Sequence, residues 1–487
     1  MVSIRFFSHS SLLLVPLLLC GCAVGPNYQR PNTNPPASYR EAKPTPQEVS
    51  FADLPWWEVF RDPRLTQMIQ TALANNYDLR IAVSRVEQSR QLAIQARAQY
   101  FPFASYFVTG SAGKNDFADT PVLNGGKVQG SLFSAIGVTW EADVWGRLRR
   151  LNESARAQYL STEEGRRGVM LSLVSDVAQA YFELLDLELQ LDIAKQTTDS
   201  FTKTLDLFIN RLQGGVATSL DTSRAEAAQA TAAASIPELE RQIELKENQI
   251  SVLLGTNPGD IAHSAQLLDE IVPPDIPVGL PSALLERRPD VLEAEQQMRA
   301  ANAQIGVATA AFFPQIGLTA LLGRASSPLS LLSSGQATFW TAGASIAGPI
   351  YQGGELKAQK HQAVAFWEQT KLAYEETALN AFRDVSDALI SRQKYEAVRA
   401  KQAQAVQAYE ESVKVSLDRY VAGRASYFEV LDAQLQLFPA QNALALTELN
   451  RRTVIVQLYK ALGGGWKLTD PEWSGPASSS TAHTPSP

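Results

Sequence analysis

The chain has 487 residues, more than one simple core holds, so two or more units or an elongated body is expected. A net charge of −7 argues against binding to nucleic acid or another polyanion. Its two cysteines, Cys20 and Cys22, lie near the N-terminus, so the rest of the chain has no disulfide, thiolate metal site or cysteine nucleophile, and its four histidines form no HExxH.

Arg5 and the apolar run Leu12–Leu19 read as a secretory signal over residues 1–21, too short to span a membrane. Leu19-Cys20-Gly21-Cys22 resembles a bacterial lipobox with Cys22 as the acylated residue, palmitate being one such acyl group; two incidental cysteines after an ordinary signal are the alternative. Ala23, not Asp, follows Cys22, which points to delivery to the outer membrane. Residues 22–50, proline-rich from Pro26 to Pro46, cannot be helical and should run extended between the lipid and the body. Trp56 and Trp57 read first as buried aromatics, and otherwise as anchors of an equatorial belt. No later segment offers about 18 uninterrupted apolar residues, so any membrane span must be built from strands.

The chain is written twice. Asp78 and Pro102 recur 212 residues later as Asp290 and Pro314; Arg211, Gly215 and Gly255 recur 208 residues later as Arg419, Gly423 and Gly463. Two homologous halves follow, at 51–260 and 282–466, joined by a linker at 261–281 and followed by a low-complexity, disordered tail at 467–487. Each half reads helix, strand, strand, very long helix, turn, helix. Asp62-Pro63 opens a helix over Arg64–Tyr100, ended by Pro102.

The long helix from Gly146 to Leu212 carries two seven-residue ladders. One is Leu173, Ala180, Leu187, Ala194, Phe201 and Phe208; the other, Val177, Leu184, Leu191, Thr198, Leu205 and Leu212, is broken only by Thr198. Such a pattern means coiled-coil packing, with a single buried core helix as the alternative. At 1.5 Å per residue it spans roughly 100 Å, matched by the opening helix and the return helix Ser219–Leu254 placed end to end. Gly354–Val421 repeats it. Gly215 and Gly423 supply the left-handed turns of two αα-hairpins.

Between the helices lie four alternating segments: Phe103–Thr109, Leu132–Val144, Gln315–Leu322 and Trp340–Ile350. One face is apolar, the other small or polar. That suits a transmembrane barrel with a wet lumen, although a soluble antiparallel sheet alternates the same way. Membrane barrels close with about eight strands or more, and four per chain favours a trimer with about twelve. The polar segments 112–129 and 324–336 read as external loops.

"CAVGPNYQRP" from Cys22, "LPWWEVFRDPRLTQMIQTALANNYDLRIA" from Leu54, "LLERRPDVLEAE" from Leu284 and "DRYVAGRASYFEVLDAQ" from Asp418 together resemble the outer-membrane factor (TolC-like) family, in its lipoprotein branch serving tripartite RND multidrug efflux. The resemblance implies a membrane β-barrel with a long α-helical coiled-coil tunnel, two repeats and four strands per chain, closed by homotrimerisation in the outer membrane. It implies a passive exit duct docked on a periplasmic adaptor and an inner-membrane RND transporter, with no catalytic site or cofactor. The hairpin tips match the family's periplasmic gate and adaptor contact, which nominates Arg211, Gly215, Asp418, Arg419, Tyr420 and Gly423. Asp418 would form a ring of like charge around a trimer axis, and Arg211 or Arg419 would pair with a neighbour's carboxylates. Plain solvated charges are the competing reading. A type I protein-secretion channel and a periplasmic adaptor lipoprotein are the alternatives in function.

Overall fold

In the computed structural model, the described residues are 23–40, 50–114, 128–262, 266–269, 278–279, 281–326, 338–465, 467–469 and 472–474. Cys22, the signal segment and residues 475–487 of the tail lie outside them. So does most of the 261–281 linker, of which a short 3₁₀ turn, Leu267–Asp269, and a bridge between Ser50 and Val278 are described. The expectation of a disordered tail from 467 is corrected at its start, because Glu472–Ser474 form a 3₁₀ turn whose Trp473 is buried.

The helices are α1 (Trp56–Phe60), α2 (Pro63–Asn75), α3 (Tyr77–Ala98), α4 (Arg147–Gln213), α5 (Ser219–Leu253), α6 (Pro281–Leu284), α7 (Pro289–Ala310), α8 (Glu355–Val421) and α9 (Tyr427–Ala461); the strands are β1 (Phe103–Lys114), β2 (Val128–Ala142), β3 (Gln315–Ser326) and β4 (Thr338–Ala347). The halves correspond element for element: α4 and α8 each have 67 residues, and α5 and α9 each have 35.

Two expectations are corrected. The opening helix is not continuous to Tyr100; it breaks at Asn76, whose backbone is extended at ψ 132°. The Asn76 side chain accepts from Leu79 N at 3.0 Å and donates to Leu253 O at 3.0 Å, so it caps α3 while holding the end of α5. The strands are also longer at their loop ends than read. β1 continues to Lys114, β2 begins at Val128 and β3 runs to Ser326, so the expected loops at 112–129 and 324–336 are partly ladder. The helix-side ends are shorter, with β2 stopping at Ala142 and β4 at Ala347.

The chain divides into two compact units. The first comprises residues to Asn32, Arg85–Glu163 and Glu293–Glu375; the second comprises Thr33–Ser84, Glu164–Leu292 and the chain from Glu376.

The first unit holds one antiparallel sheet in the order β1-β2-β3-β4. The register sets Tyr106 opposite Ile136, Ile136 opposite Leu322 and Leu322 opposite Trp340, one apolar row across all four strands. Its members are 84, 56, 57 and 77 % exposed, so the single chain leaves an apolar sheet face uncovered. On the opposite face Phe107, Phe133 and Phe339 stack in sequence, with centroids 5.4 and 5.2 Å apart. Both outer edges, β1 and β4, lack a strand partner among the described residues.

The N-terminal segment is corrected too. Residues 23–40 are non-helical, as proline requires, but 23–30 are bound to the body of this unit and are not a free spacer: Val24 N donates to Trp145 O at 3.0 Å.

The core of the second unit starts from the aromatics after Ser50. Trp56 is fully buried, donates Nε1 to Trp473 O at 3.1 Å, and meets Trp57 edge-on at 5.3 Å. Tyr459 packs edge-on to Phe51 and Phe60 and donates to Leu54 O at 3.1 Å. Asp62 caps α2 through Arg64 N and Leu65 N and accepts from the buried Tyr181 hydroxyl at 2.5 Å. Leu173, Val177, Ala180, Leu184 and Ala194 of the heptad ladders are buried, as are Phe201 and Phe208. The second ladder fades towards the turn, where Leu212 is 38 % exposed.

Candidate functional site: the paired helical tips

The second unit contains both hairpin turns, built alike. Gly215 (φ +73°) and Gly423 (φ +72°) take the left-handed conformation that ends each long helix. Gly215 N donates to Leu212 O and Val216 N to Arg211 O; Gly423 N donates to Tyr420 O and Arg424 N to Arg419 O. This is the Schellman pattern, which satisfies the last helical carbonyls. No atom lies within 4 Å of a Cβ built on either glycine, so backbone conformation alone selects them. The return helices open on matched caps: Thr218 N donates to Asp221 Oδ2 at 3.1 Å, and Ser426 N donates to Glu429 Oε1 at 3.4 Å.

Phe208, Ala225, Tyr420, Tyr427 and Val430 form one buried cluster beneath the turns. Phe208 lies 5.1 Å from the Tyr420 ring and 4.2 Å from the Tyr427 ring. Arg211 at the end of α4 stands over Tyr420 near the end of α8, its guanidinium 4.6 Å from the ring centroid, and donates Nη1 to Tyr420 O at 3.4 Å. Burial, together with the charge of Asp221, pushes the Tyr427 hydroxyl up to about 12. That hydroxyl is buried with no hydrogen-bond partner among the described residues. One layer further, Gln434 Nε2 donates to Thr204 Oγ1 at 3.0 Å and Ser200 Oγ at 3.2 Å, a polar crossing in an otherwise apolar seam.

The sequence nominees separate into two groups. Arg211 and Tyr420 join the two hairpins, and the two glycines form the turn of each. Arg419 faces a carboxylate of its own chain, Glu429 at 3.5 Å, and both are about half exposed, so the pair contributes at most about 1 kcal/mol. Asp418 is exposed and makes no side-chain hydrogen bond or ion pair among the described residues. Phe208, Tyr427 and Gln434 were not nominated, although Tyr427 directly follows Ser426 in the quoted turn string and Phe208 ends a heptad ladder. Val216, Leu220, Val421 and Phe428 leave 70, 56, 59 and 64 % of their surface exposed around the turns.

The model of the family described as "Outer membrane efflux protein" matches this chain twice, over residues 68–256 and 280–464. The chain belongs to the outer membrane efflux protein family. Its relatives include the toluene efflux pump outer membrane protein TtgC of Pseudomonas putida, 37 % identical over 465 residues, covering 94 % of this chain and 95 % of that one. They also include the probable outer membrane lipoprotein SilC of Salmonella typhimurium, 33 % identical over 476 residues, covering 96 % of this chain and 100 % of that one. Among solved structures, the open state of the Neisseria gonorrhoeae MtrE outer membrane channel is 30 % identical with a TM-score of 0.83, covering 92 % of this chain and 99 % of that one. Members of the outer membrane efflux protein family are transport proteins. This chain is an outer-membrane efflux channel with the β-barrel and helical-tunnel fold of those channels.

Proposed function

We propose that the chain works as a homotrimeric exit duct of a tripartite efflux system, lipid-anchored through Cys22, with its helices in the periplasm and its gate at the hairpin tips. The two unpartnered sheet edges support this reading: strands in a bilayer must pair, and three copies would close about twelve strands. The exposed apolar row from Tyr106 to Trp340 supplies a face for lipid.

The observation that carries the gate is the Arg211–Tyr420 contact, which ties the two hairpins together beside Asp418. Three copies around one axis would place three Asp418 carboxylates at a constriction, where they favour cations. The exposed Val216, Leu220, Val421 and Phe428 offer a seat for the tip of a periplasmic adaptor, which in turn meets an inner-membrane RND transporter. The energy comes from that partner, and the duct conducts passively. The substrates are proposed to be small apolar or amphipathic molecules, the class that a toluene efflux relative suggests.

The test is single-channel recording of the purified protein in planar bilayers, combined with its oligomer mass in detergent. A trimer with low resting conductance supports the reading; a monomer with no channel activity overturns it.

A further inference from the structure

Residues Ala23–Arg30 lie along the first unit in a seat made for them. Arg150, itself buried, donates Nε to Val24 O at 3.2 Å, and Nη2 to Gly25 O at 3.3 Å and Asn27 Oδ1 at 2.8 Å. Asn302 Nδ2 donates to Pro26 O at 3.0 Å. Gly25 (φ +94°) presses on Gly306 so closely that a Cβ would stand 2.5 Å from Gly306 Cα. The end of the strap closes on Glu295, whose side chain is 1 % exposed. Its carboxylate accepts from the Tyr28 hydroxyl at 2.9 Å, from Arg299 at 2.7 Å and from Arg30. The Arg299 guanidinium also covers the Tyr28 ring at 4.6 Å.

The internal repeat provides a control within the same chain. At the 212-residue offset, Glu295, Arg299, Asn302 and Gly306 correspond to Val83, Glu87, Arg90 and Ile94, which offer neither the buried acid nor the bare backbone. At the 208-residue offset, Asp143, Trp145, Gly146 and Arg150 correspond to Tyr351, Gly353, Gly354 and Ala358. Gly146 and Gly354 both open a long helix with positive φ, +79° and +93°. A Cβ on Gly146 would meet Ala23 at 2.5 Å, whereas nothing lies within 4 Å of one on Gly354. Asp143 caps α4 by accepting from Leu148 N and Arg149 N at 3.0 and 2.9 Å; its counterpart Tyr351 is 88 % exposed. Trp145, whose carbonyl the strap caps, stacks on Phe313 at 4.8 Å and donates to Pro314 O at 2.8 Å. The strap therefore holds the β2–α4 junction against the α7–β3 junction.

We propose that Gly146, Arg150, Glu295, Arg299, Asn302 and Gly306 form a binding site for the chain's own residues 23–30, and that its occupation locks the β2–α4 hinge while the β4–α8 hinge at Gly353–Gly354 pivots. A helix that turns against its strand does so at Gly354, and the strap makes the two halves mechanically unequal.

The test is hydrogen exchange on the full-length protein in detergent. Arg150 N and Ala358 N make equivalent first-turn bonds, to Gly146 O and Gly354 O. In the unaltered chain the Arg150 amide should exchange about tenfold more slowly than the Ala358 amide, since local opening follows local packing. Gly306→Leu should raise exchange at Val24 and Arg150 together and leave Ala358 unchanged. Arg30→Gln leaves Tyr28 and Arg299 on Glu295, so it serves if the leucine variant does not fold. Equal rates at Arg150 and Ala358 in the unaltered chain overturn the proposal. So does release of Val24 with Arg150 unmoved, and so does protection of Val24 that survives in every folded variant.

Discussion

The guanidinium of Arg211 covers the ring of Tyr420 although the two residues are 209 positions apart. One belongs to the first hairpin and the other to the second, so this contact is where the repeats meet at their tips. A half-exposed cation–π contact is worth about 0.5–1 kcal/mol. That suffices to bias the gate proposed above and is small enough to be broken by the proposed docking partner.

Arg211→Met keeps the length of the side chain and removes its charge. Resting conductance in planar bilayers should rise severalfold, with Tyr420→Leu doing the same and the double variant adding little. Additive increases would mean that the two residues act separately.

Asp418→Ala should lower the preference of the channel for cations. Reversal potentials measured across a potassium chloride gradient read this directly. An unchanged reversal potential would leave Asp418 as an ordinary solvated charge.

Leu322 and Leu321 face opposite sides of β3, since alternate residues in a strand point to opposite faces. Leu322→Arg should destabilise the membrane-inserted state by about 2–4 kcal/mol, and Leu321→Arg by much less. Urea midpoints in lipid vesicles compare them; equal losses would mean that the apolar row does not face lipid.

Gly215→Ala and Gly423→Ala should each cost about 1 kcal/mol, because alanine is strained at positive φ and nothing else crowds either site. Thermal unfolding followed by circular dichroism should give similar shifts for the two. A loss several times larger at one turn would reveal a contact there in the assembled protein.

Glu448 on α9 is 3 % exposed. Burial pushes its carboxyl up, but hydrogen bonds from Arg399, Arg452 and Arg451 outweigh burial and bring it down to about 2. A carboxyl lowered on folding stabilises the folded state above its ordinary value near 4.5, and that contribution disappears as pH falls from there towards 2. Unfolding midpoints between pH 7 and pH 3 should therefore fall less steeply in Glu448→Gln than in the unaltered protein, and parallel curves would contradict the assignment.

The long helices, the two left-handed turns and the four alternating strands were legible because each is written locally, in heptads, glycines and period-two faces. What was not legible depends on partners far away in sequence. The break at Asn76 carries no proline or glycine, and the carbonyl that fixes it, Leu253 O, is 177 positions distant. Glu295 looks like any exposed helical glutamate until Tyr28 and Arg30 arrive from more than 260 positions upstream. Nothing local to Tyr427 marks it for burial, because it packs on Phe208 of the other hairpin. One signal was available: where the repeats disagree, as at Gly306 against Ile94, only one half has something to accommodate.

The stacked rings of Phe107, Phe133 and Phe339 belong to three of the four strands and share one face of the sheet, Phe107 and Phe339 in the row of Ala135 and Gly323, and Phe133 two residues along β2. Sliding β1, β2 or β4 by a single residue would turn its phenylalanine to the far side and break a stack. The sheet thus carries an internal alignment mark that does not depend on its turns. Strands that assemble in lipid, where a mispaired backbone finds no water to replace lost bonds, gain a way to recognise the correct neighbour before the ladder is complete.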